Sequence, residues 1–225
     1  MPEHDRIEGI AAASPIANLD TDQIMPKQFL RGIDKSGLAQ GLLYDLRFDA
    51  AGAPRPGFVL NRPGRENARI LVGGPNFGCG SSREHAVWGL QQYGIRAVIA
   101  PSFGEIFYSN AMNNRLLLVM LDEAQVQALA GEAGDGAEPL RVEIDVRALT
   151  VRSPRLQAGF AMSGRHRQMF LDGLDMVGAS LARSAEIDAF AAAHWRGQPW
   201  LKDVARRTFD RLHGDRDNAQ ETPHV

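Results

Sequence analysis

Cysteine is almost missing: Cys79 is the only one in 225 residues. One thiol cannot close an intramolecular disulfide, so a reducing, cytoplasmic compartment is expected. No stretch approaches the ~18 uncharged apolar residues of a membrane span. The opening MPEHDRIEG is charged and has no apolar centre, so a signal peptide is not expected. Excess charge is also absent. Lys and Arg number 25 against 27 Asp and Glu, a formal charge of −2. That balance implies no surface for nucleic acid or other polyanions. No internal repeat is visible. What remains is ordinary globular material, 44% hydrophobic and 23% charged, enough for one large domain.

The centre of the chain has a clear rhythm. RILVG (69–73), RAVIAP (96–101) and LLLVML (116–121) are short apolar runs, read as buried strands. SSREHAVWGLQQYG lies between the first two as a helix, with Gly94 placed for a left-handed end. SFGEIFYSNAMN follows, with Ser102 and Glu105 in capping-box spacing, and then DEAQVQALAGEAG, with Asp122 as an N-cap. Strand, helix and strand in alternation predict parallel crossovers. LRVEIDV and LTVRS, parted by little more than Arg147 and Ala148, predict an antiparallel hairpin. Residues 1–19 read as a strand or loop, and 31–67 as a long loop-dominated segment. RQMFLDGLDMVGASLA and SAEIDAFAAAHW read as helices. The domain is expected to close at 204, with 205–225 a disordered tail.

The chemistry concentrates in GPNFGCGSSREHAVWGL (74–90). A glycine loop running into a helix start brings backbone N–H groups close to an anion. Arg83 stands where the dinucleotide fingerprint needs its third glycine, and no lysine completes a phosphate P-loop. Ser81, Ser82 and Arg83 suit a small carboxylate instead, because a guanidinium fork matches a carboxylate in two places. Ser81 and Glu84 also have capping-box spacing, so Ser81 reads equally as a helix cap. Cys79 reads as a packed thiol or as a hydrolase nucleophile. Asp20, Thr21 and Asp22 read as a turn.

The block NFGCGSSREHAVWGLQQYGIRAVIAPSFGEIFYSNAMNN strongly resembles the small-subunit family of 3-isopropylmalate dehydratases, which is similar to the swivelling C-terminal domain of aconitase. DTDQIMPKQFL and LDGLDMVGASL carry the resemblance further, over about residues 5–192. It implies an α/β fold: a three-layer β/β/α swivelling domain, its central sheet mainly parallel, with an antiparallel second layer. It implies a hydro-lyase that moves a hydroxyl between adjacent carbons of a malate-type substrate in leucine biosynthesis. In this reading Ser81 is the base, and Gly80, Ser82 and Arg83 bind substrate. Asp22, Lys27, Arg31, Glu84 and His85 support the site, and Leu38 and Leu42 belong to a loop that selects the substrate's side group, although each leucine taken alone reads as simple packing. A [4Fe-4S] cluster acts as Lewis acid in the family, but it needs several thiolates. It is therefore expected on a separate large subunit, with no metal on this chain. Departures include Asn114-Arg115-Leu116-Leu117-Leu118, where the family has Asn-Gly-Leu-Leu-Pro. These leave open a paralogue acting on methylmalate/citraconate or homoaconitate. A non-catalytic carboxylate-binding module is the other alternative.

Overall fold

Strands covered on both faces need apolar side chains in both directions, and the three central runs supply them. The computed structural model describes residues 5–30, 36–135 and 138–217. Its elements run β1 (Arg6–Ser14), α1 (Thr21–Ile24), α2 (Tyr44–Arg47), β2 (Ile70–Gly73), α3 (His85–Tyr93), β3 (Ala97–Ala100), α4 (Glu105–Asn113), β4 (Leu117–Met120) and α5 (Glu123–Asp135). Then come β5 (Leu140–Asp145), β6 (Thr150–Arg152), β7 (Gln157–Gly159), α6 (Gly164–Asp172), α7 (Met176–Leu181), α8 (Ser184–Gly197) and α9 (Val204–Asp217).

The seven strands make one sheet in the order β4-β3-β2-β1-β5-β6-β7. β1 through β4 pair in parallel, with Ala11 opposite Ile70 and Ile70 opposite Ala97. β5 joins the other side of β1 antiparallel, and β6 and β7 continue that sense. The expected α/β class, parallel core and β5–β6 hairpin are all present. The antiparallel strands expected in a second layer are instead hydrogen-bonded extensions of the same sheet. The N-terminal segment, read as a strand or loop, is the strand joining the two halves.

Side chains alternate between two cores. Leu71, Val98 and Leu118 face one core, with Val87 and Leu90 of α3 and Phe107 of α4. Ile70, Val72, Ile99 and Val119 face the other, with Val126 and Leu129 of α5 and Phe170 of α6. Gly94 ends α3 in the left-handed conformation (φ 114°), as its position predicts. Gly173 (φ 66°) ends α6, so the single helix expected over 167–182 is broken there.

The 36–67 stretch is more ordered than its composition predicts. Arg47 donates to the Leu42 carbonyl (3.2 Å) and Asn61 Oδ1 (3.3 Å), and its guanidinium lies over the Tyr93 ring at 4.9 Å. Asn61 donates back to the Arg47 carbonyl at 2.6 Å. Burial lowers the Arg47 pKa and raises that of Tyr93. Leu38 and Leu42, expected to meet a substrate side group, are 3% and 0% exposed. They pack in the α3 core, and the Leu38 N–H is tied to Gln92 Oε1 at 2.9 Å. Burial in that core is worth more than an intermittent ligand contact, so these leucines support the loop rather than line its outer face.

The chain divides into two compact units, Met1–Val177 and Gly178–Val225. Where a tail is expected from 205, residues Val204–Asp217 form α9. Its i, i+3 pair Phe209 and Leu212 gives it an apolar side. The last part of that tail, 218–225, lies outside the described residues.

Leu42→Ser tests the packing role. It removes buried methyls and adds an unpaired hydroxyl, so it should cost about 3–5 kcal/mol in urea unfolding. An unchanged midpoint would mean that Leu42 does not pack in the core.

Candidate active site

Loops that leave the carboxyl ends of parallel strands form the usual binding crevice of an α/β sheet. Here the loops after β1 and β2 lie side by side and bond to each other. Asn18 N–H donates to the Pro75 carbonyl (2.9 Å), Gly78 N–H to Leu19 (2.7 Å), and Thr21 N–H to Cys79 (2.9 Å). Asn76 Nδ2 donates to Asn18 Oδ1 at 2.9 Å. Ser102 takes part as well. Its hydroxyl accepts the Asn76 N–H at 2.8 Å, so it does not cap α4, whose N-cap is Gly104. The thiol of Cys79 donates to the Asn18 carbonyl at 3.4 Å rather than to a histidine. That bond removes the support for a cysteine nucleophile.

Two glycines make the close approach possible. Gly78 has φ 75°, and a Cβ there would sit 2.3 Å from the Phe107 ring. Gly80 has φ 99°, a conformation costly for other residues, and it turns the chain outward into Ser81. Gly80 and Ser82 are exposed, while Ser81 and Arg83 are half-buried.

The DTDQ turn is built by a cap. Asp20 Oδ1 accepts the Gln23 N–H at 2.7 Å, and Gln23 Oε1 accepts the Asp20 N–H at 3.1 Å. This capping box sets Thr21 and Asp22 in the first turn of α1. Thr21 is 2% exposed. Its Oγ1 accepts the Ser81 N–H at 3.0 Å and lies 2.9 Å from Ser81 Oγ. One lone pair is thus taken by an N–H, and either hydroxyl of the Thr21–Ser81 pair can donate to the other. The Ser81 carbonyl is farther away, at 3.4 Å. Next door, Asp22 Oδ1 meets Arg83 Nη1 at 2.5 Å, and Asp22 Oδ2 lies 3.7 Å from Lys27 Nζ.

The expected site residues therefore separate. Ser81, Ser82, Arg83 and Gly80 lie together with Asp22 and Lys27. Ser81 does not cap α3: the N-cap position is Glu84, and no side chain caps it. The first-turn N–H groups of α3 are thereby left without a side-chain acceptor. Glu84 is occupied elsewhere, as Oε1 accepts Asn114 Nδ2 at 2.9 Å. His85 packs its ring on Trp88 at 4.8 Å. Glu84 is thus tied to the residue after α4, and His85 to its own helix. Arg31 lies outside the described residues.

Two residues escape sequence reasoning. Thr21 looks like turn filler until Ser81, 60 positions on, is placed beside it. Asn114 gathers Glu84, the Trp88 indole N–H (2.9 Å) and the Asn110 carbonyl (2.8 Å), and Asn110 Nδ2 donates to the Ser82 carbonyl (3.1 Å). Asn114 follows the end of α4, and no local pattern marks it as a hub. Burial raises the Tyr108 pKa.

Comparison with known proteins places this geometry. Residues 1–124 match the aconitase C-terminal domain model. The chain is 66% identical over 212 residues to the 3-isopropylmalate dehydratase small subunit 1 of Chromobacterium violaceum, covering 94% of this chain and all of that one. It is 47% identical over 203 residues to the small subunit of Phenylobacterium zucineum, covering 90% and 99%. A 3-isopropylmalate dehydratase of Rhizopus niveus is 43% identical over 203 residues, but the match covers 89% of this chain and only 27% of that one. A solved structure of 3-isopropylmalate dehydratase (LeuD) from Methanocaldococcus jannaschii superposes with a TM-score of 0.60 at 28% identity, over 82% of this chain and 98% of that one.

Thr21→Val keeps the shape and removes the hydroxyl. It leaves the part-buried Ser81 N–H unpaired, at a cost of about 1–3 kcal/mol in thermal or urea unfolding. Stability equal to the unsubstituted chain would show that Thr21 does not hold the loop.

Proposed function

Since the chain belongs to the family of 3-isopropylmalate dehydratase small subunits and carries an aconitase C-terminal domain, we propose that residues 80–83 are its half of a shared active site. The protein is a hydro-lyase subunit of leucine biosynthesis, and a small subunit implies a large one. The proposed reaction interconverts 2- and 3-isopropylmalate by loss and return of water. The long Rhizopus relative supports a partner in the same sense, because most of that chain has no counterpart here. Among the described residues no helix is long and apolar enough to cross a membrane, and we assign the reaction to the cytoplasm.

The residues present do not fit an iron–sulfur cluster. Cys79 is the lone thiol, its Sγ bonded to Asn18, and no group of three His, Cys, Asp or Glu is placed for a metal among the described residues. We therefore assign the [4Fe-4S] cluster, with its Lewis-acid chemistry, to the large subunit.

This chain contributes binding and proton transfer. Arg83 presents its guanidinium to a substrate carboxylate while Asp22 holds one of its nitrogens. The exposed Ser82 hydroxyl offers a further donor. Ser81 Oγ takes the proton from the carbon beside that carboxylate and returns it on rehydration. A serine is a poor base unless its alkoxide is stabilised. Here Thr21 Oγ1 lies 2.9 Å from Ser81 Oγ and can donate to the alkoxide once it forms, the uncapped start of α3 adds a positive dipole end, and Arg83 lies two residues on. The observation that carries the reading is the joining of DTD and GSSR through Thr21–Ser81 and Asp22–Arg83.

In the complex with the large subunit, Ser81→Ala should lower kcat by about 10²-fold or more with the partner still bound. Arg83→Lys should act mainly on KM, because an ammonium cannot replace the planar fork. Near-normal kcat for Ser81→Ala would leave Ser81 a structural loop residue and move the base to the partner.

A further inference from the structure

Folded monomers cover most of their large apolar side chains, and a contiguous exposed patch beyond a few hundred Å² marks an interface. The unit Gly178–Val225 departs from this. Of the fourteen large apolar residues exposed among the described residues, nine lie between 178 and 217. Phe190 is 70% exposed, Leu181 66%, Trp200 64%, Leu212 62%, Phe209 61% and Ile187 52%. None of residues 178–213 is buried. α8 and α9 are each 14 residues long and carry apolar i, i+3 pairs, Ile187–Phe190 and Phe209–Leu212. Isolated helices of this length are marginal in water and take their stability from packing. These helices need a cover.

We infer that α8, the Pro199–Leu201 turn and α9 form a docking arm that the large subunit covers. Three observations favour that occupant. The exposed apolar side chains amount to on the order of 800–1,000 Å², the scale one partner contributes to a stable complex. The arm is nearly neutral, with seven Lys and Arg against six Asp and Glu between 178 and 217. An anionic membrane surface calls instead for a strongly basic face. The match to the long Rhizopus chain also reaches into this unit. The Rhizopus match leaves 11% of this chain uncovered (100 − 89), whereas 178–225 is 48 of 225 residues, about a fifth. At least part of the arm therefore has a counterpart inside that long chain.

The inference rests on the small-subunit reading, and one experiment separates the two. Full-length chain with Phe190→Glu, Trp200→Glu or Phe209→Glu is titrated against the purified large subunit, and each chain alone is sized by light scattering. The replaced positions are exposed and Glu is a good helix former, so circular dichroism and Tm should match the unsubstituted chain. Each variant should bind the large subunit at least 10-fold more weakly, while Ser81→Ala binds normally. Binding within twofold for all three overturns the docking arm and leaves the function standing. So does a self-associated chain that the variants convert to monomer without weakening the large-subunit complex, because the arm then covers a second copy. Failure of the unsubstituted chain to bind overturns both readings.

Discussion

The Thr21 hydroxyl is the point on which the site turns. It sits in the first turn of a four-residue helix, buried, and reaches both the N–H and the Oγ of a residue 60 positions away. One short side chain thereby sets where Ser81 is and what its oxygen can accept. A hydroxyl has one proton and two lone pairs. With one lone pair occupied by an N–H, the hydroxyl can give its proton to the serine oxygen or accept the serine's, and it becomes the donor when the serine is an alkoxide. Gly78 lets the second loop pack on the Phe107 ring of α4, and the left-handed turn at Gly80 lies against Asp20 and Thr21 of the first. The sheet enters the chemistry through this contact, because β1 and β2 are parallel neighbours and deliver both loops at the same end.

The charges serve orientation more than stability. Asp22 and Arg83 keep 40% and 30% of their side chains exposed, and pairs that wet contribute about 1 kcal/mol or less. Asp22 instead limits the rotamers of a long cation that, in the proposed reaction, meets a carboxylate in one plane. The Asn114 hub holds Glu84 and Trp88 on α3 and, through Asn110, the Ser82 carbonyl. The back of the loop is thus fixed by hydrogen bonds, while Gly80 and Ser82 stay exposed.

Much of this was legible in the residues. The parallel strands 69–73, 96–101 and 116–121 follow from their apolar runs, and Gly94 from its place after a helix. What escaped was tertiary. Ser81–Glu84 and Ser102–Glu105 both carry the spacing of a cap, yet each serine found a partner outside its helix: Thr21 for the first, Asn76 for the second. A spacing motif states which local bonds are available. It does not state whether a competing donor arrives from another loop. Leu38 and Leu42 were expected near a substrate side group because their segment resembles the family's specificity loop, with simple packing as the other reading. Their burial depends on α3, far along the chain. The family resemblance located the serine loop, and the geometry added Thr21.

The central claim is that Thr21 acts through the Ser81 oxygen. A double-mutant cycle in the complex with the large subunit tests it most directly, with kcat measured for Thr21→Val, Ser81→Ala and the pair. If the claim holds, Thr21→Val lowers kcat on its own but costs nothing further once Ser81 is alanine. Losses that multiply, with the double variant slower by the product of both factors, would contradict it.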